Sequence, residues 1–530
     1  MTHDTHSAPS STNQLLRLDR DLTKLLIRRS QLLAQTAQQR TEHRQSLVDP
    51  GQEKRLWGLW QKTLQENGID PRHWRHIFQS INGLAYHQAE RTPDRLLTLY
   101  PCTSAVAADI PGPADTTAAR LWLTAAIASG QRFRLNAVMA NDPFHEFVTA
   151  LNHAGAGLSK EEDHLLCPEA AGVAFGGTTL HAGTDPLNLA LAMMVSLPEP
   201  GNTKITGGSH LRLEDLTPAT ELFARLGARL VFLTPGSNSV PLRMERSGQV
   251  PSELDFPESA PPSFLAALLM ASLRFARPFS VRWHSAQNHH PHVGQAIRIL
   301  EHTGAVTAKT ATSLSVDPAR SRLPENISAP LDPVLNAFLL ALPHVKGGSV
   351  RLQGHWDTAS PNAQGMLDQL TASGLHIEHT QTAVQSTLAK DSGAKRLEAT
   401  NASVPLATVL SVYTAAKLQV ADPAERQAVV LFLEQLGCPF HITDDGLQPG
   451  VPGKKPELPF AAEDPQWGMA GALYALKFGP IQFTNPGEIT SIWPAFWRVV
   501  RNLPQPQLAA QRAKSEAPEN AQPRRRRIVK

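Results

Sequence analysis

The chain has 530 residues, 41% of them apolar and 18% charged, with a formal net charge of +3. So small a charge on so long a chain excludes a strongly basic nucleic-acid groove, and no apolar run reaches the roughly 20 residues that a membrane helix needs. Cys102, Cys167 and Cys438 are odd in number and far apart, which fits a reducing compartment and supplies no zinc spacing. With a polar stretch at residues 1–10 in place of a secretory signal, the expected location is the cytoplasm.

The chain opens with helices. QLLRLDRDLTKLLIRRSQLLAQTAQQR keeps Leu15, Leu18, Leu22, Leu25, Leu26, Leu32 and Leu33 mostly on one face, in a helix long enough to need a partner helix. After VDPG a second helix is predicted from Glu53 to about Asn67. NGIDP then turns the chain, with Asp70 as cap and Pro71 at the first helical position of a third helix carrying Trp74, Ile77, Phe78, Ile81 and Leu84.

This order of one long and two shorter helices, with VDPGQEKR at the second and IFQSINGLAYHQ near the end of the third, resembles the all-helical chorismate mutase family. That family is an intertwined dimer that rearranges chorismate to prephenate by holding a dicarboxylate with cations. The resemblance puts Arg29 at the family's long-helix arginine, Arg40 at its lysine, Asp49 and Glu53 at its acidic pair, and Gln88 one residue out of register with its glutamine. Asn13, Gln52 and Ala85 replace two arginines and a serine. At least two substrate-gripping cations are therefore missing, each charged hydrogen bond being worth roughly 1.5 to 3 kcal/mol. Residues 1–90 are expected to be a helical homodimerisation module in place of a working mutase.

From residue 95 a unit recurs. In residues 263–305 a buried, small-residue helix containing FLAALLMASL leads into the strand PFSVRWH. The amphipathic helix HVGQAIRILEHTGAV follows and stops at Gly304. Matching closing helices end at Gly155, Gly227, Gly374 and Gly437, so the five glycines lie 72, 77, 70 and 63 residues apart. Buried opening helices recur as RLWLTAAIASG, LNLALAMMVSL, VLNAFLLALPHV, PLATVLSVYTAAK and MAGALYALKFG. An ordinary α/β chain whose helices happen to end in glycine would not keep both markers in phase, so six repeats are expected.

The phrases IPGPADTTAARLWLTAAIASG, LHAGTDPLNLAL, ITGGSHLRLEDLTPATELFARLGA, SFLAALLMASL and NPGEITSIWPAFW make residues 95–503 resemble 5-enolpyruvylshikimate-3-phosphate (EPSP) synthase and its enolpyruvyl-transferase relatives. The resemblance implies an α+β, two-lobed enolpyruvyl-transferase fold. It has six βαβαββ-type units in two inside-out α/β barrels, preceded here by the all-α three-helix domain. The lobes are expected at about 112–324 and 325–503, with 95–111 joining the second lobe and a hinge near Pro324. It also implies transfer of enolpyruvyl from phosphoenolpyruvate to shikimate 3-phosphate in a cleft that collects a small phosphate- or carboxylate-bearing anion at helix N-termini, with no cofactor, metal, nucleic acid or membrane.

Carried over residue by residue, the substrate-binding candidates are Arg120, Ala182, Gly183, Thr184, Arg212 and Ser263, and the catalytic candidates are Glu425 and Arg426. Much else departs. Asp115 falls where it would face and repel a phosphate, His181 and Leu187 replace an asparagine and an arginine, and Pro261 and Pro262 replace polar residues before Ser263. No aspartate stands near Leu406, and Gln466, Trp467 and Ser491 replace a His-Arg pair and a lysine. Two readings stay open: an unusual synthase of aromatic biosynthesis, and a catalytically degenerate relative that binds, scaffolds or regulates. The four histidines of HSAQNHHPH read as a polar connection without metal-ligand spacing. WGLW and IWPAFW read as core aromatics, and residues 504–530, ending RRRRIVK, as a disordered basic tail.

Overall fold

The computed structural model describes residues 11–42, 49–90, 96–161, 164–169, 172–234, 236–389, 396–443, 446–453, 459–462 and 464–504. The tail beyond Pro504 lies outside them. The helical module comprises α1 (Ser11–Glu42), α2 (Pro50–Glu66) and α3 (Pro71–Glu90). Helix α2 starts three residues earlier than predicted, because the Asp49 carboxylate caps it by accepting from the backbone N–H groups of Gly51 at 2.9 Å and Gln52 at 3.2 Å, with Pro50 in its first turn. Leu33, Ala34 and Ala37 of α1 share a small core with Ala85 and Tyr86 of α3. The rest of the α1 stripe is uncovered: Leu15, Leu18, Leu25 and Leu32 are 58–65% exposed. The aromatics of WGLW do reach a core, with the Trp57 and Trp60 rings 5.2 and 5.3 Å from that of Phe78.

Two compact units divide the chain, one of residues 1–94 with 114–330 and the other of 95–113 with 331–530. In the first, opening and closing helices alternate as α4 (Thr116–Ser129) and α5 (Asp142–His153), α6 (Pro186–Val195) and α7 (Thr217–Arg225), and α8 (Pro262–Ala271) and α9 (Pro291–His302). The opening helices have almost no polar face, and every residue of α6 from Leu187 to the end is buried. In the second unit the opening helices are α10 (Pro333–Leu340), Val404–Thr414 and Pro465–Phe478, and Pro361–Ala372 and Pro423–Gln435 close repeats. All five repeat-ending glycines sit at positive φ, from +63° at Gly437 to +92° at Gly155 and Gly374, the geometry the periodicity requires.

Among the described residues there are five four-stranded sheets and one of two strands, three sheets to a unit. One repeat shows the topology in full. Glu253–Asp255 precedes α8 and pairs parallel to Phe279–Arg282, Leu254 opposite Val281; after α9 the hairpin Val306–Lys309 and Ser313–Val316 adds antiparallel, Leu314 opposite Val281. In each unit one sheet takes an edge strand from far along the chain: Val106–Pro111, before α4, pairs with Gly348–Gln353 inside the second unit, and Asn326–Ser328, before α10, pairs with Phe133–Asn136 inside the first. Leu97–Leu99 runs antiparallel to Ile481–Phe483. Among the described residues no helix is long and apolar enough to cross a membrane.

Candidate functional site

In the first unit, the N-termini of the buried helices are where free N–H groups and about half a positive charge each would attract an anion. The chain fills these positions itself. Asp115 caps α4, accepting from Thr117 N–H at 2.8 Å and Ala118 N–H at 3.0 Å, while its second oxygen accepts from the Gln295 side chain at 2.8 Å. The carboxylate is thus seated on the helix end, at the place where the sequence reading has it face a phosphate. Asp185 caps α6, accepting from Leu187 N–H at 2.7 Å.

Arg120, one turn into α4, is 4% exposed and turned toward Asp185. One terminal nitrogen donates to the Asp185 carboxylate at 2.6 Å and to the Asn188 side chain at 2.8 Å, and Nε donates to the Thr116 carbonyl at 3.2 Å. Burial pushes the Asp185 carboxyl up, but the charge and hydrogen bond of Arg120, with the Leu187 N–H, hold it below its usual value. Beside this pair, the rings of His290 and His292 meet edge to face at 4.7 Å. Burial, then the charges of His290 and Arg120, push His292 down to about 4 despite the opposing charge of Asp185. Both are half-buried where the connection at residues 285–289 runs into α9.

The loop Ala182, Gly183, Thr184 is also occupied from within. Glu146 of α5 accepts from Thr184 N–H at 3.0 Å and from the Thr184 hydroxyl at 3.2 Å. Gly183 has φ +73°, and a Cβ there would collide with the same carboxylate, so glycine is required twice over. Ala182 N–H donates to the Thr206 carbonyl at 2.8 Å. Ser263 is half-buried in the first turn of α8, a helix without a side-chain cap. Arg212 stands on the turn at residues 209–213 beside α3, whose Tyr86 feels its charge.

In the second unit, Asp332 caps α10 and Asp464 caps Pro465–Phe478, each accepting two backbone N–H bonds. Arg426 donates through Nε and a terminal nitrogen to the Val420 carbonyl at 3.3 and 2.9 Å. Its neighbour Glu425 has a carboxyl raised by burial and by the charge of Asp422, opposed by the Asn401 N–H.

On the helical module, Arg29 donates to the Asn82 side chain at 2.7 Å, and Asn82 donates to Glu53 at 3.4 Å. Burial lowers the pKa of the Arg29 guanidinium. Arg40 pairs with Asp49 at 3.3 Å. The side chain of Gln88 lies outside the described residues. The structure thus joins Arg29 to Glu53 and Arg40 to Asp49, while Arg120 and Arg426 are held by internal acceptors. Asp185, Asn188, Glu146 and Asn82 are the partners that the sequence reading missed. Asp-Pro at 185–186, 332–333, 422–423 and 464–465 was a legible sign of capped helix starts; nothing local marks Glu146 or Asn82.

No protein-family model matches the chain. Among curated proteins it is similar to a 3-phosphoshikimate 1-carboxyvinyltransferase of Aliivibrio salmonicida, with 25% identity over 280 residues that make up 51% of this chain and 64% of the relative. That alignment spans less than two thirds of the relative's length. A protein of the same name from Syntrophobacter fumaroxidans is 22% identical over 414 residues, 74% of this chain and 96% of the relative. In fold, the chain resembles EPSP synthase from Acinetobacter baumannii, with a TM-score of 0.63 and 16% identity over 78% of this chain and 100% of that one. It also resembles the enolpyruvyl transferase NikO of Streptomyces tendae, at 0.60 and 14% over 78% and 98%.

Proposed function

We infer that this chain, which is related to the EPSP synthase family in sequence and has the enolpyruvyl-transferase fold, keeps that scaffold as a binding or scaffolding protein and does not transfer enolpyruvyl to shikimate 3-phosphate. The observation that carries this reading is the seating of Asp115, Asp185 and Glu146 on the N–H groups where an anion would dock. A phosphate about 4 Å from one such carboxylate would be repelled by about 4 kcal/mol at an effective dielectric of 20. Of the three candidate cations, Arg120 and Arg426 already donate to internal acceptors, and Arg212 stands on the turn beside α3. Enolpyruvyl transfer needs both an anion grip and proton transfer, and Glu425 alone supplies neither grip.

The relation to curated synthases favours the second reading, an active but unusual synthase. Phosphate release from shikimate 3-phosphate and phosphoenolpyruvate, with complementation of a strain lacking the synthase, decides between them. Background release and no rescue are expected; turnover with rescue overturns the scaffold reading. The helical module, with its mutase-like order and uncovered leucines, is proposed to dimerise through α1, in a cytoplasmic protein whose three cysteines are buried free thiols.

A further inference from the structure

Helix α3 turns one face to its own module and another to the second repeat of the first unit. Phe78 and Ala85 point inward, the first to the Trp57 and Trp60 rings and the second to the small core shared with α1. Arg75 and Gly83 meet the second repeat. A Cβ on Gly83 would collide with the Leu213 side chain, and a Cβ on Gly236 would collide with the arm of Arg75. Each side thus offers a bare glycine to a side chain of the other, and Gly236 is at φ +75° besides. Tyr86, at the same seam, feels the charge of Arg212. Two reciprocal keys therefore seat α3 on the turn at residues 209–213 and on the connection at Gly236.

From that turn a close-packed path leads to Thr184. Arg212 N–H donates to the Gly208 carbonyl at 3.3 Å and the Ser209 carbonyl at 3.2 Å, so the turn folds back on its own start. Leu211 is fully buried, and a Cβ on Gly207 would stand 2.8 Å from its Cδ1 and 3.2 Å from the Gly183 carbonyl. Gly208 N–H donates to that Gly183 carbonyl at 2.7 Å, and a Cβ on Gly208 would stand 2.8 Å from Thr184 Cγ2. With so little spare volume at each step, a displacement of Leu213 has nowhere to be absorbed before it reaches Thr184. At the far end Thr184 gives its N–H and hydroxyl to Glu146.

We propose that the helical module is a clamp on the second repeat: α3, seated on the 209–213 turn, holds the Ala182–Thr184 loop against Glu146, and a shift of α3 releases the loop and its donors. Gly83 and Leu213 are then positioning residues that act on the loop without touching it. The inference rests on the reading of this loop as a seat that Glu146 already occupies, and it names what keeps that seat closed. It gives the module a role inside a single chain, whatever its uncovered leucines bind.

The test follows backbone amide exchange of the full chain by mass spectrometry, with no anion or substrate added. Gly83→Ala should speed exchange in residues 207–213 and also in residues 182–184, each about tenfold or more. Alanine is the better helix former, so loosening would come from the clash with Leu213 and not from α3 itself. Leu213→Ala should loosen both segments by removing the key. In the double variant the new methyl fills part of the space that Leu213 leaves, so both segments should exchange more slowly than in either single variant. Faster exchange at 207–213 with 182–184 unchanged overturns the proposal, as does no change in either segment. Should Gly83→Ala fail to fold, Leu213→Ala, at a position 36% exposed, decides by the same criterion. Turnover of shikimate 3-phosphate by the parent chain would overturn the scaffold reading and leave this one standing, because exchange is read without ligand.

Discussion

Arg120 and Asp185 form an ion pair at 2.6 Å in the interior of the first unit, joining the first turns of two buried helices from successive repeats. The attraction offsets the desolvation of both groups only while both are present. Asp185→Ala, which also removes the α6 cap, should cost about 3 to 5 kcal/mol in urea unfolding. The double variant Arg120→Met with Asp185→Leu should recover much of that loss, because it strands no charge. Equal instability of single and double variants would show that the cap and not the pair matters.

Glu146 stands in for a ligand on the Thr184 N–H and hydroxyl. Glu146→Ala should expose both donors and let inorganic phosphate raise the thermal midpoint through this loop, a response that Thr184→Val should weaken. If phosphate leaves the midpoint of Glu146→Ala unchanged, the loop has no anion-binding capacity to unmask.

Acid should destabilise the fold through buried histidines. His344, 8% exposed and hydrogen-bonded to Ser373 at 2.9 Å, is pushed down to about 4 by burial and by Lys477, and His292 is at about 4 as well. Both folded values lie below the ordinary 6.5, so the contribution is fully present above that pH and is lost as pH falls toward 4. Each histidine accounts for about 3 kcal/mol. Glu425, with a raised carboxyl, opposes this weakly. Urea midpoints between pH 7 and pH 4.5 should fall, and His344→Gln should flatten the slope; an unchanged slope refutes the assignment.

The uncovered leucines of α1 predict self-association. Sedimentation of the full chain should give a dimer, and Leu18→Asp with Leu25→Asp, at positions 65% exposed in the single chain, should yield folded monomers. A monomeric parent at micromolar concentration would rule out this use of the stripe.

The repeats were legible because volume and periodicity write them plainly: Leu187 to Val195 is apolar but for Asn188, and Gly304 ends its helix at positive φ as the spacing requires. The site was less so. Arg120 sits where the family resemblance places a ligand-binding arginine, yet its partners Asp185 and Asn188 lie 65 and 68 residues along the chain. Glu146 reaches Thr184 across 38 residues. Such pairings arise when successive repeats pack helix against helix, and no local pattern encodes them. Asp115 has a second role that its sequence context leaves open, since a carboxylate before a buried helix also caps it.

The exchange of Val106–Pro111 and Asn326–Ser328 between sheets bears on how the protein is made. Phe133–Asn136 must wait for a neighbour synthesised nearly two hundred residues later, a delay of about 10 to 40 s at ordinary translation rates. Through that interval the sheet carries an unpaired edge, a template for wrong pairing with other nascent chains. Val106–Pro111 is stranded longer still, until Gly348–Gln353 emerges. A gene cut after residue 330 would leave the first unit's pairing intact and strip Gly348–Gln353 of its Val106–Pro111 edge.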